Sequence, residues 1–457
     1  VRDDIAAVTA ELRARAQRRP AADDLLARAP ETDIEPTLDR IAMAMDLLGS
    51  PHRSAPVIHL TGTNGKTSTA RMVERLLRSL GLRTGLFTSP HLHSITERIC
   101  IDGEPVDEER FLALYRDAEP ILAMVDRAST AAGGPPMTFF EAMTALAFVA
   151  FADAPVDVMV LEVGVGGRWD CTNVADGAVA VVTPIDLDHM KWLGSTVAEI
   201  AADKAGIIKP GAVAVLSHQR PEAAQALLGR CAEVGATVAR EGLEFGVRSA
   251  AVAVGGQEVG LQGLRGTYDG LFLPLFGSHQ AGNAATALAA VEALVGGPPL
   301  ADDVVREAFA GATSPGRLEV LRRDPSVVVD AAHNPAGAAA LAEALAASFG
   351  FTATIGVVAV MGDKDVAGLL EPLEPVLDAI ICTTNGSPRC LPADELAGLA
   401  REVFGEDRVL VAPDLPAALD EAYAWADARG PGGGTGIIAT GSVVTAAGVR
   451  ALIKGDR

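Results

Sequence analysis

Positive charge is scarce in this sequence. Lys and Arg number 38 against 59 Asp and Glu, a formal net charge of −21 over 457 residues. A chain this acidic repels polyanions, which excludes non-specific binding to nucleic acid or to an anionic membrane. Cysteine is also sparse. Cys100, Cys171, Cys231, Cys382 and Cys390 are odd in number and form no C-x-x-C pair. That excludes a disulfide framework and a zinc knuckle, and suits small buried side chains in a reducing compartment. Long apolar runs are missing too. The longest, near Ala142–Ala152, is closed by Glu141 and Asp153 and is too short to span a bilayer. The first twenty residues hold no apolar stretch of the kind a secretory signal needs, so a cytoplasmic location is expected. Finally, no Asn precedes a Lys. Asn64, Asn173, Asn283, Asn334 and Asn385 all lack that neighbour, so the N-K-x-D guanine signature is absent.

What remains is an ordinary globular composition, 49% hydrophobic and 21% charged. At roughly 100–200 residues per domain, the length predicts two or three domains. Short apolar runs alternate with helical stretches. Val57–Leu60, Val158–Glu162, Val179–Thr183, Val213–Leu216, Val327–Asp330, Ile355–Val360, Ile380–Thr383 and Ile437–Thr440 read as buried strands. Thr67–Leu80, Ala336–Ser348 and Pro392–Phe404 read as helices between them. This alternation predicts an α/β fold with mostly parallel strands. The Gly-Gly-Pro-Pro stretch at Gly296–Pro299 predicts a boundary, giving domains of residues 1–297 and 298–457. Val247–Leu273, with short alternating runs and glycines, predicts β-hairpins inserted late in the first domain. Residues 1–30 form an extension of unknown role with one amphipathic helical pattern.

The strongest local signal is HLTGTNGKTSTARMVERLLRSLG, beginning at His59. A strand ends in a turn with Gly62 and Gly65. A helix opens at Lys66-Thr67, with Val73, Leu76, Leu77 and Leu80 at helical spacing. Gly81 stands where a terminating glycine belongs. Strand, glycine loop, Gly-Lys-Thr and helix make a phosphate-binding loop. Its amides and helix N-terminus cradle oxygens, Lys66 offsets phosphate charge and Thr67 can ligate Mg²⁺. The spacing G-T-N-G-K-T is tighter than the common pattern, because Leu60 occupies the place of its first glycine. Glu162 ends a buried run and opens into Val163-Gly164-Val165-Gly166-Gly167, where a Mg²⁺ ligand belongs. His189, after the run Ala178–Thr183, is expected at the same sheet edge as a second metal ligand.

Such loops serve GTPases, kinases or ATPases, and ATP-dependent ligases. The missing guanine signature sets aside the first. The remaining motifs are TSPHLHSITERI at 88–99, EVGVGGRWDCTN at 162–173, DKAGIIKPG at 203–211, GSHQAGNAATALAA at 277–290, SPGRLE at 314–319 and DAAHNPAGAAAL at 330–341. In this order they resemble the folylpolyglutamate synthase/dihydrofolate synthase family of the Mur ligase superfamily, from about residue 38 to the C-terminus.

The resemblance implies an N-terminal P-loop ATPase domain with a mostly parallel sheet and a smaller C-terminal Rossmann-like α/β domain. It implies a bifunctional ligase that joins L-glutamate to dihydropteroate or a reduced folate through an acyl phosphate. By resemblance, Gly62, Thr63, Asn64, Gly65, Lys66 and Thr67 bind ATP phosphates, and Asn283 contacts the nucleotide. Arg317 reaches the phosphates, Asp330 lies on the ribose side and His333 stands at the reacting centre. Thr67, Ser89 and Glu162 hold one Mg²⁺, and Glu162 with His189 and Lys204 a second. Lys204 matches a lysine that is carbamylated, and a monovalent cation belongs to the cofactor set. Thr138, Phe140, Glu141 and Asp170 match a pterin pocket, with Phe140 stacking and Asp170 bonding the amino edge. Ser442 is the candidate for glutamate. One departure is Lys191, where the family carries an acidic or small residue. The expected partners are small molecules only, with the chain acting as a monomer.

Overall fold

The computed structural model describes residues 25–30, 35–429 and 434–455. The amphipathic pattern near the start lies outside the described residues. Two compact units divide the chain: Val1–Gly246, Gln262–Tyr268 and Asn283–Ala308 form the first, and Val247–Leu261, Asp269–Gly282 and Phe309–Arg457 the second.

The first unit holds an eight-stranded sheet. Its strands are β1 (Val57–Thr61), β2 (Thr84–Phe87), β3 (Ile99–Ile101), β4 (Glu104–Pro105), β5 (Val158–Glu162), β6 (Gly177–Val182), β7 (Val213–Leu216) and β8 (Thr237–Arg240). The order is β4-β3-β2-β5-β1-β6-β7-β8. Strands β2, β5, β1, β6, β7 and β8 run parallel, and β3 and β4 turn back antiparallel at one edge. Every residue of β1 and β5 is buried, as expected of central strands covered on both faces. One core cluster joins Phe87, Met159 and Leu161 to the helices Asp39–Leu47, Glu108–Ala131 and Phe139–Asp153. Another joins Ala180, Val182, Ala214 and Leu216 to Val197–Lys204 and Pro221–Val234. The apolar run at Ala142–Ala152 is thus a buried core helix. No helix among the described residues is long and apolar enough to cross a membrane.

The second unit holds a six-stranded sheet of β12 (Glu319–Arg323), β13 (Ser326–Val329), β14 (Ala353–Val358), β15 (Ala379–Cys382), β16 (Val409–Val411) and β17 (Thr435–Thr440), in the order β12-β13-β17-β14-β15-β16. All are parallel except β12. Period-2 alternation divides its core. Val328, Val358, Ile380, Cys382 and Ile438 pack with the helices Pro335–Ser348 and Ala393–Phe404. Val327, Val329, Ile355, Val357, Ile381 and Ile437 face the helices Leu415–Asp427 and Val443–Lys454 instead. Both units are therefore α/β with predominantly parallel sheets.

A separate three-stranded sheet, in the order β11-β10-β9, contains β9 (Gly246–Ala253), β10 (Gly256–Gln262) and β11 (Thr267–Leu273). Most of this segment groups with the second unit rather than the first. The Gly296–Pro299 stretch is a turn inside the first unit, which continues to Ala308. Its glycines take the left-handed conformation. Residues beyond it are tied back, because the Leu300 N–H donates to Tyr268 Oη at 2.9 Å and Tyr268 Oη donates to the buried Glu292 at 3.0 Å.

The helix Lys66–Ser79 ends as its glycine predicts. Leu82 N–H donates to Leu77 O at 3.2 Å and Gly81 N–H to Arg78 O at 2.9 Å, with Gly81 at φ +81°. This is a Schellman closure. A methyl at Gly81 would meet nothing within 4 Å, so only the backbone conformation opposes it. Gly81→Ala should lower stability by about 1 kcal/mol with no loss of ligand affinity, read as a shifted urea midpoint at unchanged slope.

Candidate active site

The phosphate loop leaves the carboxyl end of β1, which lies between β5 and β6. Such a reversal of strand order is where open α/β sheets bind ligands. The loop backbone is set by contact with the segment after β6. Thr63 and Asn64 N–H groups donate to Pro184 O at 3.0 and 3.3 Å. Thr63 Oγ1 donates to Asp186 O at 2.9 Å and accepts the Asp186 N–H at 3.0 Å. Gly62 allows that approach, since a Cβ there would fall 1.9 Å from Thr183 Oγ1. Gly65, at φ +87°, precedes Lys66 at the helix start, and a Cβ there would fall 2.6 Å from Asn283 Oδ1. Asn283 therefore packs directly on the loop.

Two lysines converge on one carbonyl. Lys66 Nζ donates to Gly62 O at 3.0 Å, and Lys204 Nζ donates to the same oxygen at 2.9 Å. Lys204 is buried at the end of the helix Val197–Lys204. Burial first, and the Lys66 charge second, push its amine down to about 7. A substantial part of it is then neutral near physiological pH.

Glu162, buried at the end of β5, accepts the Thr67 hydroxyl at 2.8 Å and the Ser89 N–H at 3.4 Å. Thr67, Ser89 and Glu162 are thus brought together. Oxygen donors of this kind suit a hard divalent cation. Among the described residues no three His, Cys, Asp or Glu side chains cluster as a metal site. The single Glu162 carboxylate beside the Thr67 hydroxyl fits Mg²⁺, which uses one or two carboxylates together with substrate phosphates. His189 stands seven residues beyond β6, not at its end. It has a left-handed backbone (φ 51°), precedes the short helix Met190–Leu193, and has Nε2 3.9 Å from Asp188 Oδ2. The Lys191 ammonium lies 4.8 Å from the Trp192 ring centroid.

The glycine segment after β5 is held from beneath. Asp170 Oδ2 accepts the Gly164 and Val165 N–H groups at 3.0 and 3.1 Å, and Oδ1 accepts Thr172 N–H at 2.9 Å and the Thr172 hydroxyl at 2.5 Å. Burial pushes this carboxyl up, against the lowering effect of the four donors. Asp170 thus spends its acceptor positions on its own chain, turned inward. Thr172 Oγ1 also lies 2.8 Å from Nε2 of His59, a histidine pushed down to about 3 by burial and then by the Lys209 charge. The Phe140 ring covers Gly164, where a Cβ would fall 2.6 Å from it, and lies 5.7 Å from the Phe87 ring centroid. Thr138 caps the helix Phe139–Asp153 in a capping box with Glu141. Glu141 is also buried against Arg40, with Nε–Oε1 at 3.0 Å.

The other expected residues lie in the second unit. Asp330 follows β13 and accepts Leu318 N–H at 2.9 Å and Ala332 N–H at 2.8 Å, closing the turn that carries Arg317. Leu318 is held at a positive φ of 44°. His333 Nδ1 lies 2.9 Å from Ala331 O, so that nitrogen carries the proton. Ser442 caps the helix Val443–Lys454, accepting Thr445 N–H and the Asn385 side-chain N–H, both at 3.0 Å. Residues without an assigned role also shape the site: His59, Thr183, Asp203 and Asn173. His59, Asp203 and Asn173 stand within the sequence motifs and Thr183 at the end of a strand run, but the groups they meet include ones distant in sequence.

Residues 60–291 match the Mur ligase middle domain, and residues 316–443 match the Mur ligase, glutamate ligase domain. The dihydrofolate synthase/folylpolyglutamate synthase of Mycobacterium tuberculosis is 52% identical, over 94% of this chain and 92% of that protein. The enzyme of the same name from Escherichia coli is 34% identical, over 79% and 80%. M. tuberculosis folylpolyglutamate synthase complexed with ADP superposes with a TM-score of 0.91 at 52% identity, over 95% and 98% of the two chains. E. coli FolC in complex with DHPP and ADP gives 0.81 at 32%, over 95% and 97%. The Yersinia pestis bifunctional folylpolyglutamate synthase/dihydrofolate synthase complexed with AMPPNP and Mn ion gives 0.78 at 31%, over 92% and 94%. The chain belongs to the folylpolyglutamate synthase/dihydrofolate synthase family of Mur ligases.

Proposed function

We infer that this chain is an ATP-dependent ligase that joins L-glutamate to the carboxylate of a pterin substrate, acting as both dihydrofolate synthase and folylpolyglutamate synthase. The observation that carries the reading is the convergence of Lys66 and Lys204 on Gly62 O, on the loop whose Thr67 bonds Glu162. Full-length likeness to relatives of that name supports it.

A carboxylate is too poor an electrophile to be attacked by an amine. Its oxygen first attacks the γ-phosphorus of ATP, the bond to the β-phosphate oxygen breaks, and ADP leaves. The glutamate amine then attacks the acyl carbon, a proton is lost, and the tetrahedral intermediate expels phosphate as the amide forms. Positioning and charge compensation do most of this work. Lys66 and the amides of Gly62–Thr67 hold the phosphates, and Asn283 contacts the nucleotide. Thr67, Ser89 and Glu162 would hold one Mg²⁺, with His189 and a carbamylated Lys204 serving a second. Magnesium, when bound, neutralises developing phosphate charge. Arg317, Asp330, His333 and Ser442 stand as candidates for the ATP phosphates, the ribose side, the reacting centre and glutamate. On the pterin side, Phe140 supplies an aromatic face. Thr138, Glu141 and Asp170 stand as candidates beside it, Asp170 also fixing the Gly164–Val165 backbone and Thr138 with Glu141 the start of the helix that carries Phe140.

Burial of Lys204 supports its carbamylation. The neutral amine's lone pair forms an N–C bond to CO₂, one C=O electron pair moves to oxygen, and a proton leaves to solvent. The product replaces one of two repelling cations with an anionic oxygen ligand beside Lys66.

With ATP, Mg²⁺, L-glutamate and either 7,8-dihydropteroate or tetrahydrofolate, the protein should release phosphate in step with a glutamylated product. No glutamate-dependent product with either pterin would sink the reading. Glu162→Gln should raise the Mg²⁺ concentration for half-maximal rate at least about tenfold, measured by metal titration. Lys204→Ala should lower kcat roughly a hundredfold. A parental rate in that variant would refute the carbamate.

A further inference from the structure

We propose that Asn173 is a positioning residue for Lys204: its side-chain amide staples the segment that carries this lysine, at Gly206, to the apposed segment, at Arg168. The proposal rests on the reading of Lys204 as a carbamylated ligand.

The segment Gly166–Arg168 lies flat on Asp203–Gly206. A Cβ at Gly167 would fall 2.7 Å from Lys204 O and 2.9 Å from Lys204 Cα. A Cβ at Gly206 would fall 2.5 Å from Arg168 Cα. Arg168 N–H donates to Asp203 O at 3.0 Å, which secures the residue just before Lys204. On the far side, the Arg168 and Gly206 carbonyls point into the same space. Two acceptors cannot bond each other, so a donor must stand between them. Asn173 Nδ2 is that donor, reaching Arg168 O at 2.9 Å and Gly206 O at 3.3 Å.

The staple is itself anchored. Asn173 N–H donates to Asp170 O at 2.8 Å, and Lys209 Nζ donates to Asn173 O at 3.0 Å. Asn173 Oδ1, by contrast, is buried with no hydrogen-bond partner. Rotating the amide would not repair this, because it would set Oδ1 against two carbonyls. An orphaned buried acceptor is destabilising. The side chain is therefore oriented by what its two hydrogens hold, the Lys204 segment at Gly206 and the apposed segment at Arg168, and not by satisfaction of its own oxygen. From this backbone the Lys204 side chain reaches Gly62 O at 2.9 Å. A looser backbone would spread the amine over several positions. The carbamate, once formed, would lose the geometry that retains it.

The test uses full-length protein, ¹³C-labelled bicarbonate and two variants. Asn173→Ala removes both donors. Asn173→Ser keeps one hydroxyl donor at reduced reach. Carbamate occupancy is read from its ¹³C signal, assigned by its disappearance in Lys204→Ala. The bicarbonate concentration for half-maximal ligase rate is measured alongside, with urea midpoints as the stability readout. We expect occupancy to fall in the order parent, Ser, Ala, and the half-maximal bicarbonate concentration to rise about tenfold in Ala, with the rate recovered at high bicarbonate. Should Asn173→Ala fail to fold, the Ser variant carries the comparison. Parental occupancy and bicarbonate dependence in the folded variants, with only the urea midpoint lowered, overturn the proposal and leave the Lys204 reading standing. A parent with no carbamate signal overturns the Lys204 reading, and this proposal with it.

Discussion

The active-site region depends on how closely two stretches of main chain can approach at one edge of a parallel sheet. Strand β1 pairs with β5 on one side and β6 on the other, placing Leu60 opposite Glu162 and Thr61 opposite Val182. The chain after Thr61 can turn over the end of β6 only if Gly62 carries no side chain, because Thr183 already fills that space. Once the turn is made, the Pro184 carbonyl fixes the next two amides and the Gly62 carbonyl is left facing inward. Both lysines reach that oxygen. The same sheet edge sets Glu162 within a hydrogen bond of Thr67. Loop, carboxylate and lysines thus depend on the two parallel pairings of β1.

The net charge of −21 does not oppose this chemistry. Exposed charges more than about 10 Å away are screened at ordinary ionic strength, while buried ones are not. What matters locally is that Lys204 shares an acceptor with Lys66 inside the protein, where desolvation disfavours a second cation. Two acidic side chains near the site are engaged inward. Asp170 is surrounded by four donors, and Glu141 is paired with Arg40. The surplus acidity is mostly a property of the surface.

The parallel architecture was legible because buried central strands announce themselves as unbroken apolar runs. Val158–Glu162 and Ile437–Thr440 are examples that the structure places as strands. Thr84–Phe87, Thr237–Arg240 and Val409–Val411 were not legible. They are short or polar, and they become strands because a neighbour supplies a hydrogen-bonding edge. Gly296–Pro299 reads as a boundary because glycine and proline mark turns, and the compact units divide nearby, between Ala308 and Phe309. Some polar residues expected at ligands also hold the surrounding chain. Asp170 and Ser442 have the composition of ligand contacts, yet their hydrogen-bonding capacity is largely met by backbone and neighbouring side chains.

By itself, the sequence determined the alternation of strand and helix, the phosphate loop and the family motifs. Those features depend on local spacing, on backbone freedom at glycine and on the identity of adjacent residues, all of which are written along the chain. Only the tertiary structure decided that Lys66 and Lys204 share one carbonyl, that Asp170 points inward and that Asn173 bridges Arg168 and Gly206. Hydrogen bonds and pKa shifts depend on distance and desolvation, and both are set by residues far apart in sequence that folding brings together.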